Sequence, residues 1–305
     1  MALGLLLIGC KGPGAGEDTD LVDTDDTDVE DTDVEVDDED LVGSHYAGLW
    51  AITEAKGVGD DGGVIGRDTD PGIIGNIRIF DNGDGTGGLD IQSMDIEAGV
   101  PTSALDGGIE DISFEPGVMW VELEHDRRQP YTVTLDGDTL RFDLDASLDE
   151  GSSAEDGPEY MVLTRLDPAN SPWVGDWDVS LIEFDDGEQT MGECTANDEH
   201  WEIMQVTLSF DDRFRMHEVI AESTYSDSDC SVLTESSEMV IDGMLTEEDG
   251  RLGLWAGVQE EGEFEGGAWN FAYALDGSSA VLTDPECGDE DCDGGLPARI
   301  EMSRR

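Results

Sequence analysis

Thiols and imidazoles are few in this chain: Cys10, Cys194, Cys230, Cys287 and Cys292, with His45, His125, His200 and His217. Cys10 stands alone behind an apolar stretch, and the other four crowd the second half. An even set in an oxidising compartment pairs as disulfides. Of the three pairings, Cys194 with Cys230 and Cys287 with Cys292 are expected, because each joins flanking loop ends. Closing the longer loop would contribute about 3–4 kcal/mol by chain entropy. Zinc is the alternative, although Cys-x4-Cys without a nearby His suits it poorly. The Asp289-Glu290-Asp291 cluster between Cys287 and Cys292 reads as a cation holder or, more plainly, as a solvated hairpin tip. The histidines show no metal-ligand spacing, and His217, on one face with Arg213 and Arg215, reads as polar surface.

Carboxylates are the opposite case. With 76 Asp and Glu in 305 residues, choosing two as acid and base would be arbitrary. No Gly-x-Ser-x-Gly elbow, phosphate-cradling glycine loop or His-Glu-x-x-His helix occurs. The chain is therefore expected to bind rather than catalyse, with no cofactor beyond weak Ca2+ binding by its acidic loops.

Position decides the reading of Cys10. Met1 to Gly9 is uncharged and largely aliphatic, and Lys11-Gly12-Pro13-Gly14-Ala15-Gly16 leads into an acidic coil. Leu7-Ile8-Gly9-Cys10 resembles the lipobox of bacterial lipoproteins. That resemblance implies a signal remnant over 1–9, a lipid on Cys10 as first mature residue, and a membrane partner reached through that lipid. It implies a place in the bacterial cell envelope, and Lys11 at the following position points to the outer membrane. Residues 10–42 then form a tether. From Lys11 to Val42 there are 15 acidic residues against one Lys, in units such as Asp23-Thr24-Asp25, too polar and self-repelling to pack a core. The Asp-x-Asp spacing suits calcium only loosely, since EF-hand loops need Gly at the sixth and Glu at the twelfth position.

The net charge is −62, and most of it falls on the remaining residues. Nucleic acid is excluded as a partner, since phosphate binding needs clustered Lys and Arg. Nothing in the residues names a protein partner.

Residues 43–305 read as antiparallel β structure: 39 glycines in the chain, short alternating runs, Asn-Gly and Asp-Gly turns, and no sustained helical period. An internal repeat organises them. Gly48-Leu49-Trp50 returns as Gly175-Asp176-Trp177; Tyr131-Thr132-Val133-Thr134-Leu135-Asp136-Gly137 returns as Phe271-Ala272-Tyr273-Ala274-Leu275-Asp276-Gly277; Met161-Val162-Leu163-Thr164-Arg165 returns as Ile300-Glu301-Met302-Ser303-Arg304. The offsets are 127, 140 and 139 residues. The pattern predicts eight strands in each half, near 48–55, 75–80, 86–92, 109–115, 117–124, 130–135, 138–145 and 159–166, then 175–184, 200–210, 213–222, 236–245, 251–258, 268–275, 279–284 and 298–304. Eight antiparallel strands in order close an up-and-down barrel wide enough for a small ligand or a filled core.

Alternation assigns the faces. Leu140, Phe142 and Leu144 oppose Arg141, Asp143 and Asp145; Trp177 falls with Val179 and Leu181, and Trp50 with Ile52. Arg165 and Arg304 fall on apolar faces, where a cation needs something to stack on. A Gly-x-Trp on the first strand with an in-phase Arg on the last resembles the lipocalin and lipocalin-like families. The resemblance implies barrel closure by Gly48, Trp50 and Arg165, and again by Gly175, Trp177 and Arg304. The expected plan is all-β: lipocalin-like domains at 43–167 and 175–305 joined by a linker at 168–174, with a pair of β-sandwiches as the rival fold. The implied function is binding of a small apolar ligand in a barrel, against a structural or adhesive surface protein whose barrels are filled.

The charge balance carries its own test. A surface rich in Asp and poor in Lys suits concentrated salt, where screening shortens the Debye length to about 3 Å at 1 M. The melting temperature should therefore rise between low and molar NaCl, and a flat profile by calorimetry would count against that adaptation.

Overall fold

The computed structural model describes residues 43–57, 63–67, 69–123, 127–145, 147–148, 157–184, 187–197, 200–248, 250–260, 263–284 and 297–305. Cys10, the tether, His125, Asp289-Glu290-Asp291, Cys287 and Cys292 lie outside them. The chain folds as two closed, eight-stranded antiparallel barrels in tandem.

Barrel 1 follows a single helical turn, α1 (Gly43–Tyr46). It contains β1 (Gly48–Lys56), β2 (Val64–Ile65), β3 (Gly72–Asp81), β4 (Thr86–Glu97), β5 (Val100–Pro101), β6 (Asp106–Glu115), β7 (Val118–Leu123), β8 (Arg127–Asp136), β9 (Thr139–Leu144) and β10 (Tyr160–Leu166). Pairing of β1 with both β3 and β10 closes the ring. The short β2 and β5 ride on β1 and β4 and take no part in it.

Barrel 2 contains β11 (Gly175–Phe184), β12 (Gly187–Thr190), β13 (Thr195–Asn197), β14 (His200–Phe210), β15 (Arg215–Tyr225), β16 (Leu233–Glu248), β17 (Arg251–Glu260), β18 (Glu263–Asp276), β19 (Ser279–Thr283) and β20 (Arg299–Arg304). Here β11 pairs with β14 and β20. Closure removes the free sheet edges that an open sheet would leave to aggregate.

All sixteen ring strands fall where alternation predicts them. Two local expectations change. On β11, Leu181 does not continue the inward face of Trp177 and Val179, because a bulge between Val179 and Leu181 shifts the phase and turns Ile182 inward instead. A matching bulge in β1 follows Ile52. The hydroxyl at each bulge donates to a carbonyl of the last strand, Thr53 Oγ1 to Val162 O at 2.9 Å and Ser180 Oγ to Glu301 O at 3.2 Å. The duplication therefore extends to an irregularity that alternation could not predict.

The second change concerns Arg213. It lies in the turn before β15, not on that strand with Arg215 and His217, and it is 7% exposed. Its Nη1 donates to Asp90 Oδ2 at 2.6 Å and its Nη2 to Asp90 O at 2.9 Å, across to barrel 1. Asn76 Nδ2 donates to the Arg213 carbonyl, and Arg78 pairs with Asp212 at 2.8 Å. Beside this polar seam Ile74, Met94 and Ile96 of barrel 1 pack with Met244 of barrel 2, with Trp255 and Phe264 against them. These residues face outward from their own barrels, so the outer faces of β3, β4 and β16 become interior when the barrels meet. The joining segment takes part as well. Trp173, within 168–174, is fully buried in the barrel 2 core.

Removing one partner of a largely buried ion pair strands the other charge, at a cost of about 3–5 kcal/mol. Arg213→Ala should thus lower the urea-unfolding free energy by about 3 kcal/mol, and a loss below about 0.5 kcal/mol would mean that the seam contributes no stability.

Candidate functional site

The two closures share one geometry. In barrel 1 the Arg165 guanidinium carbon lies 4.2 Å from the centroid of Trp50; in barrel 2 Arg304 lies 5.1 Å from that of Trp177. Each indole Nε1 donates 2.9 Å to a carbonyl four residues upstream, on Tyr46 and on Trp173. The arginines reach the carbonyls on either side of that acceptor: His45 and Ala47 for Arg165, at 3.4 and 3.5 Å, and Pro172 and Val174 for Arg304, at 2.6 and 2.9 Å. The chain must turn sharply into the first strand to aim three carbonyls this way. Gly48 and Gly175 hold φ values of 147° and 135°, conformations open to glycine. Arginine over indole contributes about 0.5–2 kcal/mol, and these six residues meet where each barrel closes.

The interiors differ. Barrel 1 contains a pocket of about 200 Å³ whose walls include Ile77, Leu89, Met119, Val121, Phe142 and Met161. It lies toward the end away from Trp50, since Met161 precedes Arg165 by four residues on β10 and pairs with Ala55 near the close of β1. Its polar residues are Glu110, Gln129 and Tyr131. Gln129 is 1% exposed, and its Nε2 has no hydrogen-bond partner among the described residues. The Tyr131 hydroxyl donates to Pro158 O at 3.2 Å, and burial pushes its pKa up.

Barrel 2 is packed. Its buried apolar cluster includes Trp173, Trp177, Phe210, Phe214, Trp269 and Phe271, with Met204, Met216 and Met302 among them. The repeat explains the contrast. Tyr131 corresponds to Phe271, so two residues earlier Gln129 corresponds to Trp269. Where barrel 2 buries a large indole, barrel 1 carries a smaller amide.

No protein-family model and no curated protein matches this chain.

Cys194 and Cys230 are joined, with Cα atoms 6.0 Å apart, tying the segment before β13 to the β15–β16 hairpin. Among the described residues no group of three or more His, Cys, Asp or Glu is arranged to hold a metal ion. His217 pairs with Asp242 at 2.8 Å on the surface.

Among the interior polar residues absent from the sequence reading are Gln129, Glu202 and Glu218. Gln129 was legible in the repeat, had the match at Tyr131 been extended two residues upstream. Glu218 gave no signal among so many carboxylates. It is 5% exposed inside barrel 2, opposite Leu208 and Ile241 and between Met216 and Ile220, with Oε2 unpartnered. Burial raises its pKa from 4.5 to about 8.

A carboxyl raised in the folded state contributes stability that is complete below its unfolded pKa and is lost as pH climbs through its folded value. Glu218→Gln should accordingly match the parent near pH 4 and exceed it in stability above pH 8, the gap opening between 4.5 and about 8. Thermal melts of both proteins across that range check this, and parallel curves would show that Glu218 titrates normally.

Proposed function

We propose that this is a lipid-anchored, extracytoplasmic binding protein whose first barrel takes a small, mostly apolar ligand and whose second barrel is a packed structural partner. The observation that carries the reading is the barrel 1 pocket, placed where the duplicated barrel buries Trp269. Its size limits the ligand. Drug-sized molecules occupy roughly 300–1,000 Å³, whereas an apolar cavity of about 150 Å³ takes benzene. A volume of about 200 Å³ therefore suits a single ring or a short acyl chain. The free Nε2 of Gln129 favours a ligand with an acceptor oxygen, and the surrounding charge of −62 disfavours an anion.

The anchor rests on the Leu7-Ile8-Gly9-Cys10 resemblance to lipoproteins and on the acidic stretch that follows. A tether of about 32 residues at about 3.3–3.6 Å each could hold the barrels on the order of 100 Å from a membrane. A purely structural or adhesive role is the second reading, favoured by the packed interior of barrel 2.

Gln129→Trp separates the readings by copying the barrel 2 solution into barrel 1. Native mass spectrometry of protein purified from its own host should show a co-purifying small molecule that the variant has lost while remaining folded. A parent protein with no bound mass would leave the structural role standing. Cys10→Ala should abolish palmitate labelling and release the protein from membranes, and unchanged labelling would refute the anchor.

A further inference from the structure

We infer that the groove between the two barrels is a saccharide-binding site, independent of the barrel 1 pocket. The groove has a volume of about 630 Å³ and is bounded by Arg67 and Gly99 of barrel 1 and by Thr246, Glu248, Arg251, Trp255 and Asn270 of barrel 2. It exists only because the barrels are joined.

The barrel 2 wall is a patch of outward-facing sheet. Gly253 is paired with Thr246 on β16 and Asn270 on β18, and Trp255 is paired with Met244 and Ala268. The small residue at 253 gives the indole a place to lie along the sheet. Trp255 is half-buried, packed at the inter-barrel cluster, and its Nε1 donates to Thr246 Oγ1 at 3.1 Å. A Cβ on Gly253 would come within 2.3 Å of that oxygen and 3.0 Å of Nε1. The glycine therefore makes room for the bond that fixes the ring.

Charge supplies the second argument. The chain has 14 Lys and Arg against 76 Asp and Glu, and among the described side chains the guanidinium and ammonium groups find a carboxylate or a ring, from Lys56 with Glu159 to Arg305 with Asp178, with one exception. Arg251 is the exception among arginines with described side chains: exposed, at the groove, and without either kind of partner. Asn270 beside it is also exposed and makes no side-chain hydrogen bond among the described residues. Arg67 and Glu248 form an ion pair across the groove.

An immobilised indole flanked by planar polar groups matches a pyranose, which has an apolar C–H face to lay on the ring and hydroxyls that both donate and accept. Other ligands match less well. An apolar molecule would strip water from Arg251 without replacing it. Arg251 also offers the fork that binds a carboxylate, so neutral and uronic sugars share the required chemistry.

The test uses the full chain and three probes: maltotriose, triacetylchitotriose and trigalacturonate, titrated calorimetrically to about 10 mM. At least one should bind. Arg251→Ala and Asn270→Ala, both at exposed positions, should each weaken that binding at least about tenfold without shifting the melting temperature. Trp255→Phe should retain part of the binding and Trp255→Ala should lose it. A preference for trigalacturonate would assign Arg251 to a carboxylate, and a preference for a neutral probe would assign it to hydroxyls. Binding of none of the three, or binding unaffected by both Arg251→Ala and Asn270→Ala, overturns the proposal.

Discussion

An arginine laid against an indole at the end of a barrel is the interaction on which each half of this structure depends. The guanidinium caps one face of the ring and orients the carbonyls of the segment that leads into the first strand. It also sits on the strand that must meet the first to close the barrel. Trp50 pairs directly with Arg165, and Trp177 with Arg304. A cation on an inward face is costly when alone and favourable over a ring. The closing register is therefore coupled to the stacking. A slip of one residue would turn the arginine outward and leave the indole uncovered.

Duplication then supplied two copies of one frame, and the copies diverged where the frame permits. The bulge, the hydroxyl that pins it, the upstream aromatic carbonyl and the glycine of positive φ stay in step between the barrels. Interior residues far from the closure do not. Gln129 against Trp269 is the largest such difference identified, and it has a direct consequence in volume, because close-packed interiors lack the slack to absorb a missing indole. One barrel retains a pocket while the other becomes a core.

Much of this was legible in the residues. Period-two alternation located every ring strand, and the repeat located both closures, because both signals are local and written in side-chain type. The phase shift after Val179 escaped, since a bulge inserts one residue that composition does not mark. The contact between barrels escaped for a different reason. Ile74, Met94 and Ile96 place apolar side chains on the face that alternation assigns to solvent, a conflict that only a second body can resolve. Arg213 was assigned to a strand because its neighbours alternate, whereas it bridges residues 123 apart in sequence.

The placement of cations completes the physical account. Self-repulsion among 76 carboxylates opposes compaction, and a dilute, exposed ion pair offsets little of it. Some arginines pair on the open surface, as Arg141 does with Asp143 and Arg305 with Asp178, and others are placed at junctions. Arg165 and Arg304 sit at the closures, while Arg78 and Arg213 sit at the seam, where the burial of Arg213 makes its pairing with Asp90 stronger than one at an open surface. Arg213 illustrates the economy: one side chain neutralises Asp90, donates to its backbone and, through its own carbonyl, holds Asn76. The arginines at the closures and the seam thus put positive charge where strands and barrels meet, and there it holds the architecture together as well as offsetting neighbouring carboxylates.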